Sequence, residues 1–166
     1  MTQREISLTH LTATRASGAV VLIRFYVGLI FVGEGVLKFV REDSLGPGRF
    51  IKAGIPAGEF FAYLDGVFEI VCGIMILVGL LTRLATIPMI VDMIGALGIT
   101  KVPLLWGHAP LYPKEGGFGD FFHEGRLEVA MLCGSVFLLI VGAGSLSVDA
   151  RMRRSESAPH AVGAAA

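Results

Sequence analysis

The stretch Ala19 to Val40, AVVLIRFYVGLIFVGEGVLKFV, is long and apolar enough to cross a bilayer, yet it carries Arg24, Glu34 and Lys38. At 1.5 Å of rise per residue, about 20 mostly apolar residues span roughly 30 Å of hydrocarbon. An ionisable group at that depth costs at least ~2.5 kcal/mol on insertion scales, so it is expected to face a protein interior and to have a partner there. The first span therefore calls for companion helices.

They follow in order. Phe60 to Leu81, FFAYLDGVFEIVCGIMILVGLL, is a second apolar stretch with Asp65 and Glu69 four apart on one helical face. After Thr82-Arg83, Leu84 to Trp106 forms a third, with Asp92, Lys101 and an internal Pro88 that is expected to kink it. Glu124 to Leu146 is the fourth, opening on Glu124, Arg126 and Glu128. The predicted fold is an all-α membrane protein, a four-transmembrane-helix bundle with spans about 19–40, 60–81, 84–106 and 124–146. Residues 1–18 read as an N-terminal tail and 147–166 as a C-terminal tail, mostly disordered. Two longer loops, rich in Gly and Pro, lie on one side: Arg41 to Glu59, containing Gly54-Ile55-Pro56, and Gly107 to His123, containing His108.

Composition agrees. Of the 166 residues, 54% are hydrophobic and 17% charged, and mean hydropathy is +0.71, more apolar than an ordinary soluble domain. The formal net charge of +0 excludes the basic excess expected of a nucleic-acid partner. The first apolar run starts late, exceeds the usual signal-peptide core and is followed by no small-x-small site, so it is read as a retained span. Cys72 and Cys133 lie far apart in apolar stretches with no CxxC, which points to packing rather than thiol exchange.

Four spans put both termini on one side. Arg4, Arg15, Arg83, Arg151, Arg153 and Arg154 on that side stand against Arg41, Arg49, Lys52 and Lys114 in the long loops, a narrow bias toward cytoplasmic termini. The long-loop side is then the outside, and the bilayer is a bacterial or archaeal cytoplasmic membrane.

Counting depth from the outer end of each span gathers Glu34, Lys38, Asp65, Glu69, Lys101 and Glu128 into one layer in the outer half. Arg24, near the inner end, and Asp92 are expected to form a separate pair. A layer holding four acids against two bases cannot keep every carboxylate ionised away from water, so one acid is expected to hold or exchange a proton. Such a group suits a lipid-soluble redox carrier such as a quinol, with His108 and His123 above extending a proton path. The plainer alternative is that charges near span ends snorkel or pair for topology and packing alone. His123, Glu124 and Glu128, joined by His108, are competent metal ligands, but their spacing is no known metal signature and no metal is expected. Gly28 and Gly35 in the first span and Gly66 and Gly73 in the second, each pair seven apart, read as close helix packing.

Taken together, these residues resemble the DoxX family of small four-helix bacterial and archaeal membrane proteins. The likeness rests on Arg24, Gly28, Gly35 and Lys38, an R-x3-G-x6-G-x2-K pattern; on Gly54-Ile55-Pro56; and on Glu69, Gly73, Gly79, Thr82, Arg83 and Ala85. Glu128 followed by GAGSLSVDA, from Gly142 to Ala150, completes it. The resemblance implies a four-helix bundle and, for some relatives, a part in thiosulfate-linked quinone reduction or in a membrane oxidoreductase complex with soluble partners.

The leading functional expectation is a membrane subunit of a quinone-linked oxidoreductase. Glu69, Asp65 and Glu128 would handle protons, while Arg24, Glu34, Lys38, Lys101 and His123 would line or neutralise the quinone site. With no pair of haem ligands deep in facing spans, no dinucleotide fingerprint and no redox cysteine pair, electrons would come from a soluble oxidoreductase partner. Alternatives are a non-catalytic anchor or assembly subunit for a soluble enzyme, or a small-solute carrier. A homo-oligomer sharing a site between protomers is a further expectation, because four short helices enclose limited volume.

Overall fold

The structure, a computed structural model, describes residues 17–156, and these contain helices and no strand. Helix α1 runs Val20–Val40, α2 Pro47–Lys52, α3 Gly58–Val78, α4 Thr82–Ala96, α5 Phe118–Val141 and α6 Val148–Glu156. Helix α4 continues as a π-helical turn, Leu97–Lys101, and a 3-10 turn, Val102–Trp106. Three of these helices, α1, α3 and the continuous Thr82–Trp106 segment, are long and apolar enough to cross a membrane. The 24 residues of α5 have the length, but Asp120, Glu124, Arg126 and Glu128 crowd its first turns.

Glycines set the closest packing. Gly28 faces Gly73 and Gly35 faces Gly66, so α1 and α3 run antiparallel with backbones nearly touching. A Cβ on Gly28 would lie 2.8 Å from the Gly73 carbonyl oxygen, and one on Gly35 2.7 Å from that of Gly66. In lipid, where no hydrophobic force drives helices together, such contact supplies dispersion attraction that bulkier residues would prevent. Helix α5 runs antiparallel to α4, with Arg83 donating to the Ile140 carbonyl at 2.9 Å. It meets α1 at Gly134, whose added Cβ would lie 2.6 Å from Val27. Around the ring the order is therefore α1, α3, α4, α5, with α1 and α4 on one diagonal.

Inside the ring, Val27, Phe31, Ile76, Met89, Met131 and Leu138 form the apolar core. Outside it, Leu22, Phe25, Val71, Val91, Ile94 and Ile140 are exposed, an apolar girdle suited to lipid rather than water. Cys72 is buried and Cys133 lies on the exposed surface, so a packing role inside the protein fits the first alone.

Several boundaries differ from expectation. The second span ends at Val78, not Leu81, because Gly79 adopts φ +73 and the Leu80 N–H reaches back to the Met75 carbonyl at 2.9 Å, closing the helix. Residues 79–81 make the turn. The fourth helix begins at Phe118 rather than Glu124: Gly117, at φ +103, precedes it, and Asp120 accepts the Gly116 N–H at 2.7 Å in its first turn. Pro88 lies inside α4, which stays helical through Ala96, and the departure from regular geometry comes later, in the π-helical turn. The segment after residue 147 forms α6 through Glu156, with Ser147 accepting the Ala150 N–H at 3.1 Å as a helix cap. The first sixteen and last ten residues, which hold the rest of the expected tails, lie outside the described residues.

Candidate functional site

Lys38 sits in the last turn of α1, 9% exposed, facing the first half of α3. Its Nζ lies 2.7 Å from Asp65 Oδ2 and also pairs with Glu69 Oε2. The four-residue spacing of the two acids stacks them one turn apart, so a single ammonium bridges both. Close approach at Gly35 and Gly66 puts Lys38 within that reach. Asp92, from α4, completes the group: carboxylate oxygens of Asp65, Glu69 and Asp92 all lie within 4.8 Å of one another. Asp92 Oδ2 is buried without a hydrogen-bond partner. One lysine against three clustered carboxyls leaves an excess of acids over bases in a buried group.

A second cluster lies across the ring. Lys101, 3% exposed, ends the π-helical turn and points toward α5. Its Nζ is 3.4 Å from Glu128 Oε1 and 3.6 Å from Glu124 Oε2. It donates to the Tyr112 hydroxyl at 2.5 Å, and Arg49 reaches the same hydroxyl at 3.4 Å. Tyr112 thus ties the first long loop to the end of the third span. Glu128 Oε2, like Asp92 Oδ2, is buried with no partner.

Between the clusters lies a cavity of about 590 Å³, within the range of small-molecule sites. Lys38, Asp65, Glu69, Asp92, Lys101 and Glu128 all line it, as do Glu34, His123 and Glu124. Its apolar walls include Phe31, Met93, Ile99, Leu127 and Met131. All six residues of the expected outer layer therefore share one space, at the end of the bundle that carries the long loops.

Arg24 does not join them, and its expected pairing with Asp92 is not formed. It is 3% exposed at the opposite, turn end. Its Nε donates to the Ile76 carbonyl at 2.9 Å and Nη2 to Leu77 at 2.6 Å, while Nη1 donates to Ala143 at 2.9 Å and Leu146 at 2.6 Å. These are the carbonyls exposed where α3 and α5 end, where the helix dipole is negative. Asp149 completes the assembly, accepting the Leu81 N–H at 2.8 Å and the Thr82 N–H at 3.3 Å at the start of α4. Burial pushes the Asp149 carboxyl above its ordinary range, against the opposing pull of those two N–H groups and the Arg24 charge. Asp92 lies instead at mid-depth, about ten residues or ~15 Å above the turn end, level with Glu69.

His108 is exposed, its Nδ1 2.5 Å from the Trp106 carbonyl oxygen, and is not among the cavity residues. Three participants escaped the sequence reading. Asp92 was legible from depth had it been counted from both ends, whereas Arg49 and Tyr112 depend on how the loops fold and left no periodic signal.

A family model described as DoxX matches residues 19–102. An uncharacterized membrane protein of Mycobacterium tuberculosis is 47% identical over 140 residues, 84% of this chain and 85% of that protein. A Bacillus subtilis protein named "Putative oxidoreductase CatD" is 26% identical over 129 residues, 77% of this chain and 82% of the relative. No solved structure matches. The chain belongs to the DoxX family of membrane proteins.

Proposed function

We propose that the protein is a multi-pass membrane subunit of an oxidoreductase system that binds a quinone or quinol in the loop-end cavity and relays protons to and from it. The observation that carries this reading is the cavity itself: apolar walls large enough for a quinone ring, closed on two sides by lysine–carboxylate clusters holding more acids than bases. A quinone is apolar in body and needs hydrogen-bond donors at its oxygens, and its reduction to a quinol takes up two electrons and two protons. Lys38 and Lys101 supply the donors; Asp65, Glu69 and Glu128 supply or accept the protons. Glu34 and His123, on the same wall, connect the site toward the loops. Arg24 has no part in it, being committed to backbone carbonyls at the other end. Electrons come from a soluble redox partner. The printed name of the Bacillus relative favours oxidoreductase chemistry.

In this reading α5 is the fourth span, the termini are cytoplasmic, and the cavity sits in the outer half of a bacterial or archaeal cytoplasmic membrane. The experiment is purification from native membranes, followed by extraction and identification of bound quinone and by thermal melting with added quinone. Co-purified quinone and a raised melting temperature are expected; neither bound quinone nor stabilisation would reject the proposal.

A further inference from the structure

The two charged clusters repeat one another in sequence as well as in space. Gly35-x2-Lys38 precedes Asp65-Gly66-x2-Glu69; Gly98-x2-Lys101 precedes Glu124-Gly125-x2-Glu128. Each second helix continues to a Cys-Gly pair, Cys72-Gly73 and Cys133-Gly134, and each ends on a glycine of positive φ, Gly79 at +73 and Gly142 at +87.

The lysine and the acid–glycine–acid group facing it do the same work in both copies, while the other shared positions have parted: Gly35 is tight against Gly66 but Gly98 has nothing within 4 Å, and Gly73 and Gly134 both face α1. The glycine after the first acid lets the lysine-bearing helix come close: a Cβ on Gly66 would lie 3.4 Å from Lys38 Cβ, and one on Gly125 3.9 Å from Lys101 Cβ. The lysine then bridges two acids one turn apart in each case. Exchanging α1 with α4 and α3 with α5 maps one hairpin onto the other and preserves the neighbours around the ring.

We infer that the bundle is an internal duplication of one helical hairpin, and that its cavity is a two-ended site. Its ligand carries a hydrogen-bond acceptor at each of two opposite ends, one for Lys38 and one for Lys101. Helices α1 and α4 are diagonal in the ring, so the two ammonium groups face the shared space from different sides. Each has a donor to spare: of three N–H bonds, Lys38 commits two to Asp65 and Glu69, and Lys101 commits one to Tyr112 at 2.5 Å, with Glu128 and Glu124 at the longer distances of 3.4 and 3.6 Å. The copies have diverged around their lysines. The Lys38 cluster gains a third acid, Asp92, from α4 of the other copy, and the Lys101 cluster gains the Tyr112 hydroxyl shared with Arg49, so the two acceptors of the ligand meet unlike surroundings.

This rests on the quinone reading and narrows it to a para-quinone, whose two carbonyls lie at opposite ends of one ring. The test is isotope-edited infrared spectroscopy of the purified full-length protein loaded with a short-chain para-benzoquinone carrying 13C at C1 or at C4. Both carbonyl stretches should fall below their values in detergent alone. Lys38→Met should restore one and Lys101→Met the other. A single shifted carbonyl, or two that respond to the same lysine, would overturn the two-ended site while leaving quinone binding intact. The wild-type spectrum decides this even if a variant fails to fold. Protein that takes up no quinone would overturn the underlying reading and this inference with it.

Discussion

The two ends of the bundle handle buried charge in opposite ways. At the turn end, Arg24 spends its donors on four backbone carbonyls, Asp149 caps the start of α4, and Gly79 has no room for a side chain: an added Cβ would lie 2.7 Å from the Arg24 guanidinium carbon. At the loop end, carboxyls outnumber lysines, and the groups surround a space instead of filling it. Donors spent on backbone carbonyls tie helix ends together, while the surplus carboxyls around the cavity are the ones the proposed quinone site draws on. Charge in the first span therefore has two meanings, separated by about 20 Å of helix.

Substitutions can break that contrast. The largest expected effect is at Arg24: replacement by Met strands four carbonyls and removes the charge that offsets Asp149, and should cost about 3–5 kcal/mol in thermal or denaturant unfolding in detergent. A loss under about 1 kcal/mol would mean the turn end is no lock. Next comes Gly28→Ala, whose new Cβ would lie 2.7 Å from Leu77 and 2.8 Å from the Gly73 oxygen. Overpacking there should destabilise by about 1–3 kcal/mol. Asp92→Asn removes one surplus acid whose Oδ2 has no partner, so unfolding should change by less than about 1 kcal/mol, of either sign, while quinone-linked proton uptake by the membranes slows. Destabilisation as large as that of Arg24→Met would show the loop-end charges to be equally structural. The smallest effect is expected at Gly33, which has nothing within 4 Å of an added Cβ. Gly33→Ala should stabilise α1 by about 0.5–1 kcal/mol through helix propensity alone.

Much of this was legible in the chain. Apolar length located three spans, glycines seven apart signalled close helix packing, and depth counting brought Glu34, Lys38, Asp65, Glu69, Lys101 and Glu128 to one level. That count works because an α-helix converts residue number into height. It fails where a partner has no side-chain signature. Arg24 called for an acid, and Asp92 was the nearest unassigned one, yet backbone carbonyls at two helix ends satisfied it instead. Asp149 lay in a stretch read as tail because nine residues of mostly polar α6 carry no spanning signal. Tyr112 and Arg49 come together only when two loops fold across the cavity.

The central claim is that the loop-end cavity, and no other surface, holds a membrane quinone. Photolabelling with an azido-quinone in native membranes, followed by mapping of the modified peptides, addresses it directly. Labels should fall on cavity residues such as Phe31, Met93 and Met131, be displaced by unlabelled quinone, and decline in Lys38→Gln protein. Labels confined to the lipid-facing girdle around Leu22, Phe25 and Ile140, undiminished by competitor, would contradict it.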